Sequence, residues 1–116
     1  MSAAAAIHER NVDGVVVLAV ARDLKGPAEQ TLKERIDCLV QEGHRQVLVD
    51  LTHLPYLDST GLGRLIRAHI AVRQAGGRVR LCNVSPRIME LLKRTRLDTV
   101  LDIYETEAEA LSAVRG

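Results

Sequence analysis

Residues 45–70, RQVLVDLTHLPYLDSTGLGRLIRAHI, decide the fold class because they place a strand, a loop and a helix in succession. The segment RQVLVDL (45–51) is short, aliphatic and β-branched, which predicts a buried strand. From about Thr60 the spacing of apolar residues changes to a helical period. The helical stripe consists of Leu62, Leu65, Ile66, His69 and Ile70. This helix is predicted to stop at Gly76-Gly77, where two glycines favour a turn.

The segments before this stretch predict a hairpin and a helix. GVVVLAV (14–20) is predicted to be a strand buried on both faces. A weaker strand, 5–11, is expected to pair with it through a turn near Asp13-Gly14. A helical stripe then begins at Pro27 and ends near Gly43.

The segments after it continue the alternation. RVRLCNV (78–84) alternates as a strand does, and VLDIY (100–104) is a short last strand. SPRIMELLKRT (85–95) has Ser85 at the cap and Pro86 at the first helical position. TEAEALSAV (106–114) begins with a capping box of Thr106 and Glu109. The order predicts one α/β domain over residues 1–116, with a mixed, mostly parallel sheet of four to five strands. About four helices pack around it, and its first strand is antiparallel.

Composition excludes several classes of function. The chain has 116 residues, 47% of them hydrophobic, which suits one core. Sixteen Lys and Arg against 15 Asp and Glu give no general attraction to nucleic acid or to an anionic membrane. Tyr56 and Tyr104 are too few aromatics for a stacking platform. No stretch approaches the ~20 apolar residues of a membrane span.

The cysteines and the amino-terminal segment bear on location and cofactors. The opening MSAAAAIHER lacks the basic segment of a secretory signal. Cys38 and Cys82 lie in different predicted elements and form no C-x-x-C pair, so we expect free thiols and a cytoplasmic protein. No metal-ligand spacing stands out, and GLG (61–63) lacks the further residues of a dinucleotide or P-loop motif. We therefore expect no metal and no cofactor.

The segment LDSTGLG (57–63) is the candidate functional site, because it follows the carboxyl end of a predicted strand and begins a helix. Asp58 or Ser59 fits the N-cap position, where a side-chain oxygen accepts an unpaired backbone N–H. Gly61 and Gly63 bring the backbone close to whatever lies above the turn. The partial positive charge of a helix N-terminus would favour a phosphate there.

Four interpretations of this segment remain open from the residues alone. Ser59 is a helix cap, a nucleophile or a phosphate-accepting switch, or Asp50 is the acceptor of a receiver domain. A nucleophile elbow requires glycine where Leu57 stands, and it requires a base. The histidines give no such base by spacing, and His69 falls within an apolar helical stripe; they are His8, His44, His53 and His69. A receiver requires an acidic cluster after its first strand, and only Asp23 is there.

The stretch VLVDLTHLPYLDSTGLGRLIRAH (47–69) resembles the signature of STAS domains, specifically the bacterial anti-sigma factor antagonists. The likeness continues through AGGRVRLCNVSPRIMELLKRTRLDTVLDIYETEAEAL (75–111). The family pattern is a strand ending in Asp-Leu, a short loop, and Asp-Ser-Ser/Thr-Gly-Leu-Gly at the start of a helix. A later strand ends in Asn-Val/Ile-Ser-Pro. The resemblance implies the STAS fold for the whole chain.

The resemblance also implies a mechanism of partner switching. The unphosphorylated antagonist binds an anti-sigma factor that is also a serine kinase of the GHKL type, and phosphorylation blocks that binding. A phosphatase of the PP2C type reverses it, and the antagonist itself is not an enzyme. By position, the phosphorylated serine is Ser59, with Thr60 the less favoured acceptor. The expected partner contacts from this segment are Asp58, Thr60, Gly61, Leu62, Gly63 and Arg64.

A second part of the partner surface follows the first long strand, and there the chain departs from the family pattern. Family members carry Gly-Glu/Asp-Leu-Asp, whereas this chain has VARDLKGPAEQ (20–30). Arg22 and Asp23 are the expected contacts, and Arg22 and Lys25 make this surface more basic. The alternative function is a STAS scaffold that acts through association without switching. We expect a monomer or a weak homodimer.

Overall fold

The computed structural model describes the backbone of residues 7–20 and 27–115, and the side chains of residues 7–20 and 32–114. The strands are β1 (Ile7–Val12), β2 (Val15–Val20), β3 (Gln46–Asp50), β4 (Arg78–Cys82) and β5 (Asp102–Tyr104). The helices are α1 (Pro27–Gln41), α2 (Ser59–Gln74), α3 (Pro86–Arg94) and α4 (Glu107–Arg115). A short 3-10 turn, Leu97–Thr99, precedes β5.

The five strands form one mixed sheet in the order β1-β2-β3-β4-β5. β1 is antiparallel to β2, and the other neighbouring strands are parallel. The β1–β2 turn has positive φ at Asp13 (51°) and Gly14 (84°), which suits a two-residue hairpin between twisted strands. The predictions of a mixed sheet, an antiparallel first strand and about four helices are confirmed.

The sheet is buried on both faces, which explains the unbroken hydrophobic run of β2. Val16, Leu18 and Val20 face the larger core, which α1, α2 and α3 cover. Val15 and Val17 face the smaller core beside Ala110 of α4. Parallel strands covered on both faces are expected to be apolar at successive positions. The strand predicted from GVVVLAV is therefore confirmed, including its burial.

β4 is less exposed than its alternating sequence suggested. Its last four residues, Val79–Cys82, are all buried, and Arg80 retains only 8% of its exposure. The Arg80 Nη1 donates a hydrogen bond to Gln46 Oε1 at 2.5 Å. The prediction of a strand was correct, but α4 covers the face that the sequence pattern left to solvent.

The double glycine after α2 has two separate structural reasons. Gly76 has a φ of +86°, which side chains rarely adopt. A Cβ at Gly77 would lie 2.3 Å from the Arg45 carbonyl oxygen, because the chain passes closely beside the start of β3. The backbone N–H of Arg78 donates to that same carbonyl at 2.7 Å. The predicted end of the helix is confirmed.

A search of the described helices for a membrane span found none with the necessary length and apolar character.

Candidate functional site

The loop between β3 and α2 is fixed to the core by regularly spaced leucines. Leu51, Leu54 and Leu57 each expose 3% or less of their surface. The residues between them, including His53 and Tyr56, point their side chains outward and are exposed. Burying one leucine stabilises the folded state by about 1.5–3 kcal/mol, so the loop is a packed segment with one exposed side.

Asp50 links the end of β3 to the end of β4. Its Oδ1 accepts hydrogen bonds from the Thr52 backbone N–H (3.0 Å), the Thr52 hydroxyl (2.5 Å) and the Asn83 amide (3.0 Å). Burial of Asp50 favours the neutral acid, but these hydrogen bonds outweigh it, so the pKa of Asp50 is lowered. We expected hydrogen bonds to nearby backbone; the amide from Asn83, 33 residues away, was not predicted.

Ser85 joins the same loop to the start of α3. Its hydroxyl donates to the Pro55 carbonyl at 2.8 Å and accepts from the Ile88 N–H at 3.2 Å. The predicted cap is therefore confirmed, and it also holds the loop. Beside it, the Arg87 guanidinium lies 4.7 Å from the centre of the Tyr56 ring, a cation–π contact on the surface. The sequence reasoning missed these cross-loop contacts because they join residues about 30 positions apart.

Asp58, and not Ser59, is the N-cap of α2. Asp58 Oδ1 accepts the Gly61 N–H at 2.8 Å, and the Asp58 carbonyl accepts the Leu62 N–H at 2.9 Å. Ser59 is the first helical residue, and its side chain is exposed. The interpretation of Ser59 as the cap is therefore wrong: the carboxylate one residue earlier is already in position to receive the N–H.

The expected contact residues of the α2 segment divide into surface and core. Asp58, Ser59 and Thr60 are exposed, and Gly63 and Arg64 are partly exposed. Gly61 is buried, and Leu62 exposes 7% of its surface within the larger core. Leu62 therefore anchors the helix beneath the surface that Thr60 and Gly63 present. The other two expected contacts, Arg22 and Asp23, lie outside the described residues.

Two of the four histidines, His69 and His44, lie far from Ser59. His69 is 6% exposed within α2, and burial is the main cause of its lowered pKa. It lies ten residues after Ser59, about 15 Å along the helix at about 1.5 Å per residue. His44 lies just before β3, at the opposite end of that strand from Ser59, and has Glu42 at 3.7 Å. Neither His69 nor His44 therefore supports the nucleophile interpretation.

The described residues also give little support for a metal site or a reactive thiol. Within residues 7–20 and 32–114, no three His, Cys, Asp or Glu side chains gather as metal ligands would. Both cysteines are free; Cys38 is exposed, whereas burial raises the pKa of Cys82 to about 12. A thiol with such a pKa stays protonated at neutral pH and packs as a small apolar residue.

Comparisons with known proteins agree with this geometry. The family model described as STAS domain matches residues 6–110. The anti-sigma-B factor antagonist of Staphylococcus aureus is 34% identical over 79 residues, which cover 67% of this chain and 73% of that protein.

Solved structures give the same result for the fold. An anti-sigma-factor antagonist (STAS) domain protein from Planctomyces limnophilus has a TM-score of 0.83 at 25% identity, with 95% of this chain and 98% of that chain covered. The Bacillus cell fate determinant SpoIIAA in its phosphorylated form has a TM-score of 0.76 at 22% identity, with 94% and 99% covered, and shows the fold alone. The chain belongs to the STAS domain family and is a member of its anti-sigma factor antagonists.

Proposed function

We propose that this chain, acting as a single module over residues 1–116, is a phosphorylation-controlled partner switch whose acceptor is Ser59. The proposal rests on the different roles of two adjacent residues at the start of α2, Asp58 and Ser59. Asp58 caps the helix, so the exposed Ser59 hydroxyl has no capping role to lose on modification. Modification of Ser59 therefore leaves the capping hydrogen bond from the Gly61 N–H to Asp58 in place.

The N-terminus of α2 tolerates the charge that a phosphate brings. A phosphoserine adds about −1.5 to −2 charges, and the partial positive charge of a helix N-terminus stabilises anions. The backbone N–H groups of Ser59 and Thr60 precede the first intrahelical bond donated to Asp58, so they remain available. The carboxylate of Asp58 lies one residue away and opposes the phosphate. The expected result is a large change in surface charge with little change in fold.

The partner is an anti-sigma factor, the protein that the names of the relatives specify. Thr60, Gly63 and Arg64 extend the exposed surface from Ser59 along α2. A partner seated on this surface would meet two new negative charges when Ser59 is phosphorylated, and it would be displaced. The existence of a phosphorylated form of SpoIIAA, which shares the fold, supports the use of phosphate in this architecture.

The enzymes that would add and remove the phosphate are inferred from the family resemblance. They are a GHKL-type serine kinase, which is the anti-sigma factor itself, and a PP2C-type phosphatase. Both act in the cytoplasm, where ATP is available, and the chain contributes only binding. Arg22 and Asp23 are proposed as the second contact patch, and the basic Arg22 is expected to select a partner with a complementary acidic surface.

The test combines intact-mass measurement with binding. The cognate kinase and ATP should add one phosphate to the wild type and to Thr60→Ala, but none to Ser59→Ala. Ser59→Ala should keep its affinity for the anti-sigma factor, and Ser59→Glu should lose at least about tenfold, equal to about 1.4 kcal/mol. Full phosphorylation of Ser59→Ala would show that the acceptor is another residue. Equal binding by the Glu variant would show that charge at Ser59 does not control the partner.

A further inference from the structure

A cleft of about 420 Å³ lies at the end of α2 far from Ser59. It is lined by His69, Ile70, Arg73, Gln74 and Val100. Arg73 follows Ser59 by fourteen residues, which is about 21 Å along a helix that rises about 1.5 Å per residue. The cleft is therefore at the opposite end of the domain from the proposed switch. It is a shallow cleft that is open to solvent and not an enclosed cavity.

One of the residues that line the cleft, His69, has a polar atom that the fold leaves unpaired. His69 is only 6% exposed, and its Nδ1 has no hydrogen-bond partner among the described residues. Buried polar atoms are paired in the large majority of cases, and each exception requires an explanation. The neighbouring Asp102 Oδ2 is buried and likewise makes no hydrogen bond within the described part of the chain. Both atoms are shielded from solvent, so a ligand in the cleft would contact the exposed lining residues and not these atoms.

The charges around the cleft leave one cation in excess. Arg78 Nε lies 3.7 Å from Asp102 Oδ2, so these two charges largely offset each other. Arg73 forms no ion pair with any residue that the structure describes, and it lines the cleft. Burial lowers the pKa of His69 and so favours its neutral form. One unmatched guanidinium beside a neutral imidazole favours a ligand with a single negative charge.

The walls of the cleft are aliphatic. Ile70 and Val100 are exposed by 47% and 51%, and they are two of the three large hydrophobic residues exposed in the described chain. Covering such surface contributes about 25 cal/mol per Å² of apolar area removed from water. A bare phosphate or sulfate has no apolar part that could cover them. The required ligand has a charged head and a short hydrocarbon tail.

We propose that this cleft binds a small aliphatic monocarboxylate, with the carboxylate at Arg73 and the tail against Ile70 and Val100. The exposed Gln74 side chain also lines the cleft, and its amide can donate a second hydrogen bond to a carboxylate. His69 closes the inner side of the cleft. This site is separate from the Ser59 surface, so its test does not require any kinase or anti-sigma factor.

The experiment is an NMR titration of the isotopically labelled full chain with isovalerate. Backbone amide signals of residues 69–74 and of Val100 should shift and saturate. Isovaleramide, which has the same tail without the charge, should bind at least about fivefold more weakly. Arg73→Gln should weaken isovalerate binding to a similar degree. Arg67→Gln, which removes an exposed arginine from the same helix outside the cleft, should stay within about twofold of the wild type.

Several outcomes would overturn the proposal. Shifts that never saturate, or that spread over the whole surface, would show non-specific contact only. Equal binding of isovalerate and isovaleramide would remove the role of the charge. An equal loss in Arg67→Gln and Arg73→Gln would show that general positive charge, and not the cleft, attracts the probe. Val100→Ser should weaken both probes, and unchanged binding there would remove the role of the aliphatic wall.

Discussion

Substitution of Gly63 by alanine can separate effects on the stability of the fold from effects on partner binding. It lies in the second turn of α2, and a Cβ built there meets no atom within 4 Å. Its φ lies outside the left-handed region, so an alanine adopts the same backbone without strain. Nothing in the packing of the domain therefore requires glycine at this position. The prediction is that Gly63→Ala makes the protein more stable and its partner binding weaker.

The gain in stability follows from helix propensity. Glycine within a helix costs roughly 0.5–1 kcal/mol relative to alanine, chiefly through the entropy of the unfolded chain. We expect the free energy of unfolding to rise by about 0.5–1 kcal/mol, measured by urea denaturation with an unchanged slope. The midpoint of thermal unfolding should rise by roughly 2–6 °C.

The loss in binding follows from the proposed docking surface. If the anti-sigma factor packs over Thr60 and Gly63, an added Cβ separates the two surfaces at their point of close approach. We expect the affinity to fall at least about tenfold, equal to about 1.4 kcal/mol, measured by titration calorimetry on unphosphorylated protein. A partner that contacts only the exposed side chains would lose nothing.

Gly77 provides the matched control. There a Cβ would lie 2.3 Å from the Arg45 carbonyl oxygen, so Gly77→Ala must move the backbone. The expected cost is about 1–3 kcal/mol of unfolding free energy, the usual range for overpacking. Lower stability in Gly63→Ala would refute the packing argument, and unchanged affinity would refute the placement of the partner over Gly63.

Three further predictions concern the loop and its helix caps. Asp58→Ala should lower the free energy of unfolding by about 1 kcal/mol through loss of the cap. Ser59→Ala should change it by less than about 0.5 kcal/mol. Denaturation curves that show the larger loss for Ser59→Ala would place the cap on Ser59. Asp50→Asn should be less stable than the wild type at pH 7, but its stability should vary less below about pH 4. Because folding lowers the pKa of Asp50, the ionised carboxylate stabilises the fold at pH values above the pKa of the unfolded state, and this contribution is lost as the pH falls through the pKa of the folded state. Parallel pH–stability curves for the two proteins would contradict this. Ser85→Ala should cost about 1–2 kcal/mol and raise hydrogen exchange in the β3–α2 loop, and protection unchanged from the wild type would show that the Pro55 contact does not hold the loop.

Most of the fold was predictable because the spacing of apolar residues within each short segment indicates a strand or a helix. The helices bury one stripe of period 3.6, whereas strands buried on both faces show short unbroken apolar runs, so the order of elements could be read directly. The Asp13-Gly14 turn and the Ser85-Pro86 helix start have local signals of the same kind. The 3-10 turn at Leu97–Thr99 has only three residues, which is too short to show a period.

The site was less predictable than the fold. The choice between Asp58 and Ser59 as cap depends on a shift of one residue in the helix start, and either side chain satisfies the sequence rule. The hydrogen bond from Asn83 to Asp50 depends on which strands are neighbours in the sheet. Asn83 adopts a φ of +58°, and no pattern in the adjacent residues indicates where its amide will point.

The long-range contacts of the β3–α2 loop, which the sequence could not show, fit the proposal of a switch that leaves the fold unchanged. Asp50 joins the loop to Asn83, Ser85 joins it to α3, and the leucines at 51, 54 and 57 fix it to the core. None of these contacts involves the Ser59 side chain, so the proposed phosphate on Ser59 would not have to break any of them. Under the proposed function, the added charge would change the surface that the partner contacts and leave the fold intact. Because the cap is Asp58 and the proposed acceptor is Ser59, phosphorylation would leave the hydrogen bond from the Gly61 N–H to Asp58 in place.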